Sequence, residues 1–152
     1  MSGIVEDPAA WPPALLNPAQ RADLVLVFKD ARLLVLQRGG CELARFAIAL
    51  GPAPRGHKQR EGDGRTPEGR YRISGRNPRS RFHLSLRISY PDPDDLARAQ
   101  AQAVPAGGDI MIHGNPARRG GDWTEGCVAV SDAEMEAIWR RVEIGTPVHL
   151  LP

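Results

Sequence analysis

The sequence predicts a mainly β domain of sandwich-like kind with one or two helices, and three observations carry that expectation. Glycine and proline are abundant, at 16 and 14 of 152 residues, so turns must be frequent and elements short. Apolar residues recur as short β-branched or alternating runs such as Leu24 to Phe28 and Phe82 to Ile88. Only one segment, from Ser131 onward, combines a helix start signal with a full helical period. The length fits one domain on the usual scale of about 100–200 residues, with 41% hydrophobic and 25% charged residues, as in ordinary globular chains.

In chain order, residues 1–21 carry Pro8, Pro12, Pro13 and Pro18 and read as an irregular arm across the surface of a domain spanning 22–152. Leu24 to Phe28, Arg32 to Gln37 and Cys41 to Leu50, separated by Lys29-Asp30 and Gly39-Gly40, predict a three-stranded meander in which Cys41 serves as a small apolar strand residue. Gly51 to Gly69 holds six further glycines and prolines between its two end glycines and predicts a long loop, a kind of segment that is usually functional or disordered. Arg81 to Ser89 alternates strictly. Phe82, Leu84, Leu86 and Ile88 should face the core, and His83, Ser85, Arg87 and Ser89 should form a polar wall. Asp94 to Ala103, acidic at its start and rich in alanine, reads as a short helix. Ile110 to His113 reads as a strand with His113 on the Met111 face at its end, and Asn115 to Gly126 as the following loop. Ser131 and Glu134 form a capping box ahead of Met135, Ile138, Trp139 and Val142, Gly145 ends that helix, and Pro147 to Leu151 closes the chain as a strand.

Composition removes several function classes. No apolar run approaches the ~20 residues of a membrane span, and residues 1–8 show neither the basic start nor the apolar stretch of a secretory signal. The net charge is +2, yet residues 55 to 87 carry ten Lys and Arg against three Asp and Glu, an excess that favours an anionic substrate or partner. Nucleic acid is not expected as that partner, because the basic segment lacks interleaved aromatics and no recognition motif appears. No metal or other cofactor is expected: His113, Cys127, His83 and Asp109 contain no closely spaced ligand pair, and His57 and His149 have no evident partner.

The chemistry concentrates in Gly121-Asp122-Trp123-Thr124-Glu125-Gly126-Cys127, fourteen residues after His113-Gly114. A thiol performs acyl chemistry as thiolate, and a neighbouring imidazole that accepts its proton makes it fast. Cys127 is thus the expected nucleophile and His113 its general base. The imidazole needs an orienting acceptor. The Gly114 carbonyl can supply it, with Asp109 and Asp122 as further options. Backbone N–H groups at Gly126 and Cys127 can face a developing oxyanion.

His113-Gly114, a loop, and Thr124-x-Gly126-Cys127 together resemble the signature of the L,D-transpeptidase catalytic domain (YkuD-type) family. Glu61 to Gly69 with Tyr71-Arg72-Ile73, Asn77-Pro78, Tyr90-Pro91, the opening meander and Gly145-Thr146-Pro147-Val148 are similar to that family as well, so the likeness covers about residues 22 to 151. It implies attack by Cys127 on the amide before the terminal D-alanine of a peptidoglycan tetrapeptide stem, at a meso-diaminopimelate-type residue. The acyl group would then pass to an amine of another stem, to a lipoprotein lysine, to a D-amino acid or to water. Water as acceptor would make the same site a carboxypeptidase or endopeptidase, and a non-catalytic wall-binding module is the rival class. The resemblance implies a periplasmic or cell-wall location, against which the absent signal sequence leaves a cytoplasmic one open. Glu125 stands where the family usually has a second histidine, and Ala129 where many members have an arginine. Thr-Glu-Gly-Cys would mark a subgroup with altered substrate handling, in which Arg118 and Arg119, or Arg81 and Arg87, replace the missing carboxylate contact. Thr124, Trp123 and His83 complete the expected substrate-binding set, with Trp123 also suited to packing under the cysteine loop.

Overall fold

The computed structural model describes residues 10–152, and the arm expected over 1–21 lies outside the described residues up to position 9. From there the chain crosses the body, with the Trp11 indole donating to the Pro78 carbonyl (3.0 Å) and Leu16 N–H to the Arg140 carbonyl (2.8 Å), before a single 3-10 turn at Pro18–Gln20. The meander appears as β1 (Leu24–Phe28), β2 (Leu33–Arg38) and β3 (Cys41–Ala47). β4 (Gly69–Ser80), β5 (His83–Ile88), α1 (Pro93–Ala101), β6 (Met111–His113), β7 (Val128–Ala129), α2 (Asp132–Trp139) and β8 (Pro147–Leu151) follow.

The strands form one mixed sheet in the order β3-β2-β1-β8-β4-β5-β6-β7. β8 lies in the middle of this sheet, parallel to β1 and antiparallel to β4, and buries Val148 and Leu150 on one face. The long strand β4 pairs through its first half with β8 and through its second with β5. Register shifts near Ile73 and Asn77 bend it, so one continuous sheet turns a corner. The two ends then meet: Ala49, just after β3, and Ala129 on β7 exchange both backbone hydrogen bonds (2.9 and 3.0 Å). The enclosed core joins Val25, Val27, Leu34 and Leu36 to Leu84, Leu86, Ile88, Ile112 and Val128, with Met135, Ile138 and Val142 from the α2 side. The mainly β class is as predicted, and its layering arises from a single sheet curling on itself.

The α2 helix starts where its capping box placed it. Ser131 Oγ accepts from Glu134 N–H and the Glu134 carboxylate accepts from Ser131 N–H, each at 3.2 Å, so two orphan amides are satisfied. Ser131→Ala is expected to cost about 1 kcal/mol. Thermal denaturation checks this, and an unchanged midpoint would refute the box as a stabilising element.

Three local expectations need correction. Cys41 lies on β3 but is exposed, because β3 is an edge strand with one open face. Ser85, expected in a polar wall, is buried beside His113, and its hydroxyl bonds to that of Ser80. The twelve-residue β4 was not foreseen, since Arg70, Arg72, Arg76, Arg79, Gly75 and Pro78 hide its alternation of Tyr71 and Ile73.

Candidate active site

β6 sets the site. Antiparallel pairing puts Met111 beside Arg87 and His113 beside Ser85 on β5, while parallel pairing puts Ile112 beside Val128 and His113 beside Ala129 on β7. Side chains alternate along strands, so Ile112 and Val128 enter the core and Met111, His113 and Ala129 share the opposite face. Cys127, two residues before Ala129, falls in register beside Met111. Nucleophile and base therefore come from adjacent strands, two steps apart along them.

The imidazole of His113 is buried. Its Nδ1 lies 2.7 Å from the Gly114 carbonyl oxygen, and a carbonyl only accepts, so Nδ1 carries the hydrogen and Nε2 is left with a free lone pair. Phe82 stacks on the ring (4.2 Å between centroids, 16° between planes) and Trp123 leans against it at 5.6 Å. Burial in this aromatic setting lowers the His113 pKa from its ordinary value of 6.5. The Gly114 carbonyl opposes that shift, and nearby Arg81 adds to it. The base is thus neutral at pH 7.

The Cys127 thiol is held differently. Its S–H points to the Asp109 carbonyl oxygen at 3.3 Å. Burial pushes its pKa up to about 11, Asp109 and Glu125 push the same way, and the Met111 N–H and the Lys58 ammonium oppose them. The resting pair is a neutral thiol and a neutral imidazole.

The turn that delivers Cys127 is braced from behind. Thr124 is buried, its hydroxyl donating to the Cys127 carbonyl (2.8 Å) and accepting from Gly126 N–H (3.2 Å). Gly126 has φ +124, and a Cβ there would sit 2.7 Å from the Arg65 carbonyl oxygen, so only glycine fits. Thr66, fully buried in the 51–69 loop, donates to the Gly126 carbonyl at 2.7 Å. The loop itself is pinned by Lys29 Nζ, which donates to the Gly56 and Thr66 carbonyls (2.9 and 2.7 Å) and to Glu68 (3.1 Å). Asp63 pins its tip: burial would raise this carboxyl, but N–H groups of Gln59, Arg60 and Arg65 and the Lys58 ammonium bring its pKa down to about 2.

The remaining expected residues are scattered. Trp123 borders a cavity of about 330 Å³ that Arg32, Arg119, Ala129 and Ser131 also line, and its indole N–H is buried without a partner among the described residues. The Arg119 guanidinium lies 5.3 Å from the Trp123 ring, whereas Arg118 is exposed in a turn. His83 is drawn away from the thiol by Glu136 on α2 (2.8 Å) and packs on Trp11. Asp122 binds Arg32 (2.8 Å) and Asp109 binds Arg87 (3.0 Å), so neither orients His113.

The model of the YkuD family, the L,D-transpeptidase catalytic domain, matches residues 22–150. The chain belongs to this family. Among solved structures, the L,D-transpeptidase-like domain resembles the helical cell shape determining protein Pgp2 from Campylobacter jejuni, with 24% identity, a TM-score of 0.67, and coverage of 84% of this chain and 46% of that one. It also resembles Bd1075 from Bdellovibrio bacteriovorus, with 21% identity, a TM-score of 0.62, and coverage of 90% and 50%. The L,D-transpeptidase from Xylanimonas cellulosilytica gives 19% identity, a TM-score of 0.58, and coverage of 86% and 60%. The chain thus spans about half the length of the first of these relatives. Comparison with curated proteins finds no match.

Sequence reasoning missed Lys29, Thr66, Asp63 and Lys58 of this L,D-transpeptidase domain. Asp63 between Gly62 and Gly64 was the readable sign, because an aspartate flanked by glycines is the usual way to collect backbone N–H groups in a tight turn. No helix among the described residues is long and apolar enough to cross a membrane, and no group of three or more His, Cys, Asp and Glu side chains is arranged to hold a metal.

Proposed function

We propose that this domain is a cysteine-dependent L,D-transpeptidase that acts on peptidoglycan tetrapeptide stems through a thioester acyl-enzyme. The observation that carries this reading is the His113 imidazole, fixed by the Gly114 carbonyl with Nε2 unprotonated, on the strand beside the one that presents Cys127. His113 Nε2 takes the thiol proton as sulfur attacks the carbonyl carbon of the amide before the terminal D-alanine. The oxyanion needs a donor. Gly126 N–H is already given to Thr124, so the Cys127 N–H takes that role, and Gly126 acts through the turn it makes rather than through its own amide. Collapse of the tetrahedral intermediate breaks the C–N bond, and the His113 imidazolium returns its proton to the departing D-alanine amine. An amine of a second stem, a lipoprotein lysine or a D-amino acid then attacks the thioester, its proton passing to His113 and on to the Cys127 sulfur.

Thr124-Glu125-Gly126-Cys127 defines a subgroup in which a carboxylate replaces the family's usual second histidine, so activation of the thiol falls to His113 alone. The substrate puts the site in the periplasm or the wall. The likeness to a cell shape determining protein supports a role in setting shape through wall cross-links. Muropeptides incubated with the protein and followed by mass spectrometry test the reading. D-Alanine release with cross-linked or exchanged products is expected, hydrolysed stems alone would mark a carboxypeptidase or endopeptidase, and no turnover would leave a wall-binding module. Cys127→Ala is expected to lose at least about 10³-fold in rate, and full turnover by that variant would refute the mechanism.

A further inference from the structure

The face of the sheet that carries Cys127 and His113 continues across β5. Register places Arg87 beside Met111, which is itself beside Cys127, so Arg87 stands two strands from the nucleophile in the same row. The next position in the row is Gly75 on β4, which has no side chain to fill the space: a Cβ there would lie 3.6 Å from that of Arg87. Arg87 thus projects over open ground, and its side chain is 53% exposed. Its guanidinium binds the Asp109 carboxylate at 3.0 Å, and that side chain is 76% exposed. The carbonyl of the same Asp109 accepts the Cys127 S–H at 3.3 Å. Asp109 holds a left-handed backbone at φ +53, a conformation that non-glycine residues seldom adopt and that collects at functional sites. One residue therefore touches the thiol with its main chain and the guanidinium with its side chain.

We infer that Arg87 reads the substrate by binding the free carboxylate of the C-terminal residue that leaves, a position that Asp109 occupies in the resting enzyme. This rests on the transpeptidase reading above and names the group that selects an amide one residue from a chain end. The dimensions agree. A single residue spans the gap between guanidinium and sulfur, with contacts of 3.3 and 3.0 Å at its two ends, which keeps them within about 10 Å of each other. In an attack geometry the scissile carbon lies about 3 Å from sulfur, the leaving residue's carboxylate oxygen about 4–5 Å beyond it, and a charge-assisted hydrogen bond adds about 2.8 Å. The other cations fit less well. Lys58, whose ammonium does act on the thiol, is buried and held by Asp63 at 2.9 Å. Arg32 is held bidentate by Asp122, Arg81 lies 5.0 Å from the Phe82 ring centroid and Arg119 5.3 Å from that of Trp123. An arriving carboxylate displaces that of Asp109, and the Asp109 peptide, released from Arg87, frees the thiol to turn toward His113.

The test compares the tetrapeptide stem with the same stem carrying a C-terminal amide. Wild-type protein is expected to favour the free acid by at least about 10-fold in kcat/KM, the usual worth of a charge-assisted hydrogen bond. Arg87→Gln should remove that preference, chiefly through a raised KM, and Arg87→Lys should restore part of it. Asp109→Asn, which keeps a residue tolerant of the left-handed backbone, should lower KM for the acid severalfold by removing the competing carboxylate. Alkylation of Cys127 by iodoacetamide reports in each variant whether the site is intact. An acid-to-amide ratio near one in wild-type protein, or a wild-type ratio retained in Arg87→Gln, overturns the assignment while Cys127-dependent turnover leaves the transpeptidase reading standing. Absence of turnover in wild-type protein on both stems would remove the two together.

Discussion

Lys29→Ala is expected to destabilise the domain by about 3 kcal/mol, the low end for breaking a buried ion pair, because Glu68 keeps 20% of its side chain exposed to water. The Lys29 side chain itself is 2% exposed. Its ammonium satisfies two carbonyls and a carboxylate at once, so its removal leaves three acceptors without their donor inside the 51–69 loop. For a domain of this size the melting temperature should fall by about 6–12 °C. The effect should reach catalysis, because the Thr66 whose carbonyl Lys29 holds is the residue whose hydroxyl holds Gly126. Lys29→Met separates the causes. It restores most of the buried volume but no donor, so its stability should stay near that of the alanine variant. Wild-type stability in Lys29→Met would mean that packing, rather than the hydrogen bonds, fixes the loop.

That loop also marks the boundary of what the sequence made legible. Helix α2 was readable because its information is local: Ser131 and Glu134 satisfy each other's backbone and Met135, Ile138 and Trp139 follow at helical spacing. The meander was readable from β-branched runs broken by turn residues. The contact between the His113 imidazole and the Gly114 carbonyl was readable because the two residues adjoin in the chain, whereas the roles given to His113 and Cys127 leaned on the family likeness as well as on residue type. Non-local pairings were not. Nothing near Pro147 says that the last strand will insert between the first and the fourth, and β4 is masked by arginines, of which Arg70, Arg72 and Arg79 are exposed while Arg76 folds onto Trp139. Lys29 read as a turn residue because two residues at a strand end, Lys29-Asp30, look like any solvated turn. Its burial depends on a loop thirty residues away folding over it. The polar role of Ser85 failed for a related reason, since alternation gives the face of a residue but not what will cover that face.

His113→Asn is expected to lower kcat/KM by about 10²–10⁴-fold, the range for loss of a general base, and to change the shape of the pH profile. In wild-type protein the rate should rise with pH as His113 loses its proton, with a midpoint below 6.5 because burial lowers its pKa, and then level off. The plateau reflects a base that is fully neutral acting on a thiol that is still protonated. In the asparagine variant only the rare spontaneous thiolate reacts. With a thiol pKa of about 11, that fraction is about one part in 10⁴ at pH 7, so the variant's rate should climb about tenfold per pH unit through the range where wild-type protein is flat. Iodoacetamide labelling of Cys127 without substrate should climb in the same way in both proteins. A labelling plateau already reached near pH 6 would mean a preformed thiolate–imidazolium pair and would overturn this account. The same histidine ties stability to pH. The unfolded chain binds a proton near 6.5 and the folded chain only at lower pH, so the folded state loses stability as pH falls from 6.5 to the folded pKa and loses no more below it. In His113→Asn that dependence should be gone, which separates the buried histidine from the carboxylates that govern acid unfolding at still lower pH.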